Sequence, residues 1–267
     1  MRKINKILLI QPPFTIMNMY PKSAMPPLGL GYIAAVLKNK YEVKILDAAV
    51  EGYTNVQKID ERFIRYGLSF EEIEKRIVDF APDVVGVSCQ FIGQAQNALE
   101  VCRRIKASDQ NIITVIGGPF PSSTPHYFLK ERLLDAVVIG EGEATIVRLL
   151  KALKEEVGLS NIDGLAFRVN ETIQINPLKD FISDLDTLPF PARELMPMEK
   201  YFKINSPHGG LPRKRPNTSI ITSRGCPAKC VFCATAAFWG NRFRSRSPEN
   251  VLEELKMLKD EYGVREV

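Results

Sequence analysis

Residues 84–119 read VVGVSCQFIGQAQNALEVCRRIKASDQNIITVIGGP, and this stretch indicates the fold class. Residues 84–87 and 112–116 are short apolar runs of the kind that form buried strands. Between them, small and apolar residues recur at the spacing of one helix face, at Ala95, Ala98, Leu99, Cys102 and Ile105. Two buried strands joined by a helix predict a parallel pair with a crossover connection.

The same alternation continues on both sides of this stretch. Further strands are predicted at residues 6–10, 43–46 and 136–139. Further helices are predicted at residues 28–37 and 144–153. Another is predicted to begin at the capping-box residues Ser69 and Glu72, because Phe70, Ile73, Ile77 and Phe80 repeat at helical spacing there. We therefore expect residues 1–158 to form an α/β domain with a mostly parallel sheet that is covered on both faces. Ligands of such sheets bind outside the carboxyl ends of the strands.

The pattern changes in the second half of the chain. Residues 159–215 are predicted to hold a small hairpin, at 164–169 and 172–175, followed by a Pro-rich connector. A second α/β unit is predicted over residues 216–267, and its first strand is predicted at residues 219–222.

Three cysteines lie close together in the run Cys226-Pro-Ala-Lys-Cys230-Val-Phe-Cys233. Three thiolates at this spacing repel one another unless a cation neutralises them, so the run predicts a metal centre. Structural zinc usually takes four protein ligands, whereas three thiolates suit a [4Fe–4S] cluster with one iron left open for a small molecule. A zinc knuckle and chance clustering are the alternatives.

The C-x₃-C-x₂-C spacing, with an aromatic residue just before the last cysteine, resembles the signature of the radical S-adenosylmethionine (SAM) superfamily. The resemblance implies that Cys226, Cys230 and Cys233 hold the cluster and that Phe232 packs beside the adenine of SAM. It also implies an electron donor such as flavodoxin or ferredoxin, cleavage of SAM to a 5′-deoxyadenosyl radical, and a small-molecule substrate. Because a radical SAM core is a full or partial β/α (TIM-type) barrel, residues 216–267 would be its first part, and the chain is expected to be catalytically incomplete.

Loops along the whole chain resemble the cobalamin-binding class of radical SAM enzymes. The matching segments are residues 26–32, 43–47, 84–88, 117–121, 140–143 and 188–193. The resemblance implies that residues 1–158 are a Rossmann-like, flavodoxin-type cobalamin-binding domain. The candidate cobalamin contacts are Gln11, Pro12, Ser88, Gly117, Gly118, Pro119, Glu141 and Gly142. Many cobalamin proteins carry Asp-x-His-x-x-Gly after the first strand, but residues 11–15 contain no His. In those proteins the His is the lower ligand of cobalt, so cobalamin bound to this chain would lack that lower ligand.

Enzymes of this class commonly methylate unreactive carbon, and others rearrange or cyclise their substrates, so we expect one of these activities. The domain could alternatively have lost cobalamin, or the chain could be a non-catalytic corrinoid- or metal-binding module. A methylthiotransferase is disfavoured because it needs three further cysteines, and only Cys89 and Cys102 are present. A dinucleotide site is disfavoured because no G-x-G-x-x-G follows the first strand, which leaves Asp47 as weak evidence for a ribose contact.

The composition is that of a globular protein, with 45% hydrophobic and 25% charged residues. A net charge of +5 is too small to indicate a nucleic-acid binder, so no nucleic-acid partner is expected. No apolar run reaches the ~18 residues of a membrane span. The N-terminal apolar stretch is too short for a secretion signal and runs into Gln11-Pro12-Pro13, so we expect a cytoplasmic protein. In a reducing compartment, five cysteines with three of them clustered favour metal binding over disulfides. Basic residues bunch at 213–215 and at Arg242, Arg244 and Arg246, which predicts either a solvated loop or an anion site.

Overall fold

The computed structural model describes residues 3–206, 212–228 and 230–267. Its strands are β1 (Lys6–Gln11), β2 (Phe14–Met17), β3 (Glu42–Asp47), β4 (Val56–Lys58), β5 (Phe63–Tyr66), β6 (Val84–Ser88), β7 (Ile113–Gly117), β8 (Ala136–Val138), β9 (Leu165–Val169), β10 (Thr172–Asn176), β11 (Ser223–Arg224) and β12 (Arg244–Ser245). Its helices are α1 (Leu28–Leu37), α2 (Ala48–Glu51), α3 (Phe70–Phe80), α4 (Ala95–Ser108), α5 (Pro119–Ser123), α6 (Pro125–Leu129), α7 (Gly142–Glu155), α8 (Met198–Ile204), α9 (Thr235–Trp239) and α10 (Pro248–Tyr262).

The main sheet has seven strands in the order β10-β9-β8-β7-β6-β1-β3. Strands β3, β1, β6, β7 and β8 are parallel, and their order in space is that of the flavodoxin-like sheet. The predicted α/β fold class is therefore confirmed. The chain leaves β1 toward β3 on one side and later enters β6 on the other, so the switch point lies between β1 and β6.

Each face of the sheet buries its own layer of helices because alternate strand residues point to opposite faces. Ile7 and Leu9 pack with apolar residues of α1 and α7, whereas Leu8 and Ile10 pack with those of α3 and α4. Cys102 is fully buried in the second layer, in agreement with the prediction that it packs as an apolar residue. Burial of one large apolar side chain, such as Ile7 or Leu8, stabilises the fold by roughly 1.5–3 kcal/mol.

Two helices begin at residues whose side chains cap the backbone. Ser69 caps α3, and Glu72 completes the predicted capping box. Ser247 caps α10, with Pro248 in its first turn. These caps satisfy backbone N–H groups that a helix cannot pair internally, so they define where the two helices begin.

Two features of the sheets were not predicted. The hairpin assigned to the connector continues the main sheet, because β9 pairs antiparallel with β8 and β10 with β9. In addition, β2, β5 and β4 form a separate three-stranded antiparallel sheet. The strands of this second sheet are only three or four residues long, which is too short for a clear periodic pattern.

The C-terminal segment differs from its prediction. The strand expected at residues 219–222 is wrong; the observed strand is β11, which pairs antiparallel with β12. The carbonyls of Ser219 and Ile221 instead accept hydrogen bonds from the guanidinium groups of Arg193 and Arg246. Within the described ranges, no closed barrel is formed, and a single parallel bridge joins Asn217 to Glu266. In the same ranges, no helix has the length and apolar character that crossing a membrane requires.

Candidate functional site

A cavity of about 660 Å³ lies at the carboxyl ends of the parallel strands. Its wall includes the ends of β1, β6, β7 and β8, the first turns of α1, and parts of the C-terminal segment. Its volume falls in the ordinary range for small-molecule sites. The cavity spans the switch point between β1 and β6, where ligands of doubly wound sheets bind.

Most of the predicted cobalamin contacts line this cavity. They are Gln11, Ser88, Gly117, Gly118, Pro119, Glu141 and Gly142. Pro12 does not line it. Aromatic residues outside the candidate contacts also line the wall, namely Phe14, Tyr32, Phe91, Phe238 and Trp239. They come from four separate segments, and their common location follows from the tertiary fold.

Gln11 leaves a polar atom without a partner at this wall. Its side chain is only 3% exposed, yet its Oε1 accepts no hydrogen bond from any described residue. A buried amide oxygen without a partner costs about 1–3 kcal/mol, and a ligand with N–H or O–H groups would remove that cost. The cavity therefore fits a ligand that is largely apolar and carries N–H or O–H groups.

Two glycines shape the wall in different ways. Gly118 has a φ of +115°, and a Cβ there would lie 2.6 Å from the carbonyl oxygen of Cys89, so the turn after β7 requires glycine. Gly29, on α1, would place a Cβ in open space with no neighbour within 4 Å. At this point helix backbone, with no side chain in between, borders the cavity.

Asp47 lies on the cavity wall, but its carboxylate is used within the protein. It accepts hydrogen bonds from the Tyr201 hydroxyl at 2.6 Å and from the backbone N–H of Val50 at 3.1 Å. Burial raises the pKa of Asp47 to about 6, and the two hydrogen bonds limit the rise. The carboxylate thus ties α8 to the end of β3 and caps α2, which argues against the ribose contact considered from the sequence.

A buried ion cluster joins the loop after β8 to the C-terminal segment. Glu141 accepts from Arg224 at 3.0 Å and from Arg244 at 2.8 and 2.9 Å. Glu143 accepts from Arg224 at 2.7 Å. All four side chains are at least nine-tenths buried. Both oxygens of the Glu141 carboxylate are thus already paired within the protein.

A second buried cluster joins the connector to α10. Glu254 pairs with Arg193 at 3.0 Å and with Arg246, and all three side chains are buried. Arg244 and Arg246 therefore belong neither to a solvated loop nor to an anion site, whereas Arg242 is exposed. The sequence shows only the charges of these residues, and no local pattern indicates which of them pair.

The cysteine loop lies at the surface. Cys226 is half-buried, whereas Cys230 and Cys233 are exposed. In the part of the chain that the structure describes, the three thiols are not gathered around a common point that could hold a metal ion. The Cys233 thiol donates to the hydroxyl oxygen of Thr235 at 3.1 Å. Hydrogen bonding with the side chain and backbone of Thr235 lowers the pKa of this thiol.

The donor set itself still fits an iron–sulfur cluster. Three accessible thiols on one short loop are the soft ligands that such clusters take. Phe232, predicted to lie beside the adenine of SAM, is 89% exposed and lies outside the cavity wall. Cys89 is buried, and burial raises its pKa to about 12, as expected for a structural thiol. His126, which follows a Pro-rich turn in the sequence, is exposed.

The chain is similar to known proteins in two segments. Residues 15–150 match the B12 binding domain, and residues 220–267 match the radical SAM superfamily. The chain is 38% identical to the cytidylyl-2-hydroxyethylphosphonate methyltransferase of Streptomyces wedmorensis, over 99% of this chain and 54% of that protein. It is 35% identical to an uncharacterized methyltransferase of Pyrococcus horikoshii, over 99% of this chain and 53% of that protein.

Among solved structures, the chain resembles the cobalamin-dependent SAM radical enzyme OxsB, described with aqua-cobalamin and SAM bound. The TM-score is 0.75 at 21% identity, over 98% of this chain and 33% of OxsB. The chain thus spans about half the length of the curated relatives it matches and a third of this structural neighbour.

Proposed function

The chain belongs to the radical SAM proteins that carry a B12-binding domain, and from this premise we propose that it forms the cobalamin- and cluster-binding part of a methyltransferase. The substrate would be a small molecule that is methylated at an unactivated carbon. One observation carries the proposal: α9, which follows the cysteine loop directly, forms part of the wall of the cavity at the strand ends. The two most similar relatives described above are both methyltransferases by name.

Cobalamin fits the residues that line the cavity. The wall is mainly apolar and aromatic, which suits the face of a corrin ring and excludes water. Gln11 offers a buried amide oxygen to the amide groups at the ring's edge. The side chain of Glu141 is held by two arginines, so at this position and at Gly142 the contact to the ligand would come from the backbone.

Cys226, Cys230 and Cys233 would hold the cluster, and the open iron would take SAM. When bound, the cluster with SAM supplies one-electron chemistry and cobalamin carries a methyl group. The protein's own part is to hold the cysteine loop next to the cavity. The backbone N–H of Cys226 donates to the carbonyl of Gly240 at 3.2 Å, which joins the start of the loop to the end of α9.

Two further partners complete the proposal. A small electron-transfer protein such as flavodoxin or ferredoxin would reduce the cluster, and the exposed position of Cys230 and Cys233 leaves the loop accessible. A reducing cytoplasm would keep the thiols available for iron, because thiolates are oxidised readily elsewhere. Exposed Phe232 would contact SAM only after the loop closes over the cluster.

Anaerobic reconstitution of the full chain tests the proposal. With iron and sulfide, the chain should bind one [4Fe–4S] cluster, and Cys226→Ala, Cys230→Ala or Cys233→Ala should abolish stable incorporation. Cys102→Ala is the matched control, because that thiol is buried in the core and should not affect the iron content. Stoichiometric zinc without iron in anaerobically purified protein would contradict the cluster.

Cobalamin binding is tested on the same protein. After incubation with hydroxocobalamin and gel filtration, the absorption spectrum should show retained corrinoid. Folded protein that retains the cluster but no corrinoid would show that the domain has lost its cofactor. Retention of both, together with cleavage of SAM, would exclude a non-catalytic binding module.

A further inference from the structure

The Glu141 carboxylate lies where three segments of the chain meet. It belongs to the loop between β8 and α7, and it accepts from the backbone N–H of Ile182 in the connector at 2.7 Å. It also accepts from Arg224 and Arg244 of the C-terminal segment. Four hydrogen bonds converge on one buried carboxylate, so its position fixes all three segments relative to one another.

The two arginines flank the cysteine loop. Arg224 lies two residues before Cys226. Arg244 donates to the carbonyl of Trp239, the last residue of α9, at 2.7 Å. Both ends of the segment that carries the three cysteines are therefore anchored, through one guanidinium each, to the same carboxylate of the N-terminal domain.

The same carboxylate borders the cavity. Glu141 lies on its wall, as do Arg224 and Trp239. The Arg224 guanidinium also packs over the ring of Tyr32, 5.0 Å from its centroid, and Tyr32 is a wall residue of α1. A ligand that orders this wall would order the anchors of the cysteine loop as well.

We propose that Glu141 is a positioning residue that couples occupancy of the cavity to assembly of the cluster on the cysteine loop. This inference rests on the proposed function, since it assumes that cobalamin and the cluster both bind. Coupling of two sites is reciprocal, so the bound cluster should raise the affinity for cobalamin by the same factor as cobalamin raises the affinity for the cluster. Couplings of this kind typically change affinity by roughly 5- to 150-fold.

The experiment is a titration with hydroxocobalamin, followed by its absorption spectrum, on cluster-free and anaerobically reconstituted full chain. We expect the Kd of the wild-type chain to be about tenfold lower with the cluster than without it. In Glu141→Gln, the two Kd values should agree within about twofold, because a neutral amide cannot hold both guanidinium groups. A wild-type chain with equal Kd values in both states would overturn the inference.

Glu254→Gln is the matched control. Glu254 is also a buried carboxylate between two arginines, but it is not among the residues that line the cavity. This variant should keep the tenfold ratio. If Glu141→Gln weakens binding equally in both states and keeps the ratio, Glu141 is a direct contact, and the positioning role is refuted.

A second variant covers the case in which Glu141→Gln does not fold, as judged by circular dichroism. Arg244→Lys keeps the positive charge at this position, but a lysine ammonium cannot reach Glu141, Ile182 and Trp239 together. In this variant the hydroxocobalamin Kd values with and without the iron–sulfur cluster should also agree within about twofold. A tenfold difference between them, as in the wild-type chain, would overturn the inference. A wild-type chain that binds no hydroxocobalamin in either state contradicts the proposed function itself, and the inference with it.

Discussion

Asp47 should make the protein less stable at neutral pH than at mildly acidic pH. Its carboxylate is buried, and in the described part of the chain it accepts hydrogen bonds from the Tyr201 hydroxyl and from backbone N–H groups, but from no cationic side chain. Burial raises its pKa from 3.8 to about 6. Below pH ~4 the group is protonated in both the folded and the unfolded chain, and it carries no penalty. Between pH ~4 and ~6 the unfolded chain loses the proton first, so the stability that protonated Asp47 provides is lost as pH rises.

The magnitude follows from the size of the shift. A difference of about two pKa units corresponds to about 3 kcal/mol, at 1.36 kcal/mol per unit. This is a large share of the 5–15 kcal/mol that stabilises a typical domain. Because Asp47 is almost fully buried, solvent screening reduces this value little.

The assay compares the wild-type chain with Asp47→Asn by urea unfolding across pH 4–7. Other carboxyl groups titrate in the same range in both proteins, so the difference between the two unfolding free energies isolates Asp47. Wild type minus Asp47→Asn should fall by about 2.4 kcal/mol from pH 4 to pH 7, because at pH 4 Asp47 of the unfolded chain is already more than half ionised. Any hydrogen bond lost in the variant shifts this difference by a constant and leaves its slope unchanged.

Tyr201→Phe provides the control for the direction of the effect. The Tyr201 hydroxyl donates to Asp47 and lowers its pKa, so removal of the hydroxyl should raise that pKa further. When Asp47 and Asp47→Asn are compared in the Tyr201→Phe background, the difference between the two unfolding free energies should therefore fall more steeply with pH. A flat difference between wild type and Asp47→Asn would refute the reasoning and would mean that water solvates the carboxylate through the cavity. A difference that rises with pH would also refute it, because it would mean that the pKa of Asp47 is lower in the folded chain than in the unfolded chain.

Two further predictions concern the cavity and the second ion cluster. Gly29→Phe should prevent retention of hydroxocobalamin, because the ring would occupy open space at the cavity wall, whereas the control Gly158→Phe also meets no neighbour but lies away from the cavity. Binding by Gly29→Phe at wild-type affinity would place the corrinoid elsewhere. Glu254→Gln should destabilise the chain by about 3 kcal/mol in urea, since it leaves two buried arginines without their counter-charge. Glu194→Gln, which removes an exposed pair with Lys38, should cost less than about 1 kcal/mol, and equal costs for the two variants would contradict the argument.

Much of the fold was determined by local sequence. The parallel strands β1, β3, β6, β7 and β8 are apolar runs bounded by turn residues, and their helices carry one apolar stripe each. Such periodic patterns identify an element because burial of one face is what stabilises it. The α/β class, the capped start of α3 and the positions of most cavity residues followed from these patterns and from where each strand ends.

Several features of the site were decided by tertiary structure alone. No local pattern pairs Glu141 with Arg224 and Arg244, which are 83 and 103 residues away, because ion pairing depends on proximity in space and the sequence shows only charge. The same reason hid the roles of Arg193 and Glu254.

The strand expected at residues 219–222 shows how tertiary contacts override local propensity. That segment has the composition of a strand, yet its carbonyls at Ser219 and Ile221 accept from arginine side chains instead of a neighbouring strand. The spacing of the three cysteines was evident from the sequence and predicts the cluster. The placement of α9 against the cavity required the folded chain, because it arises from contacts between residues that are more than 80 positions apart.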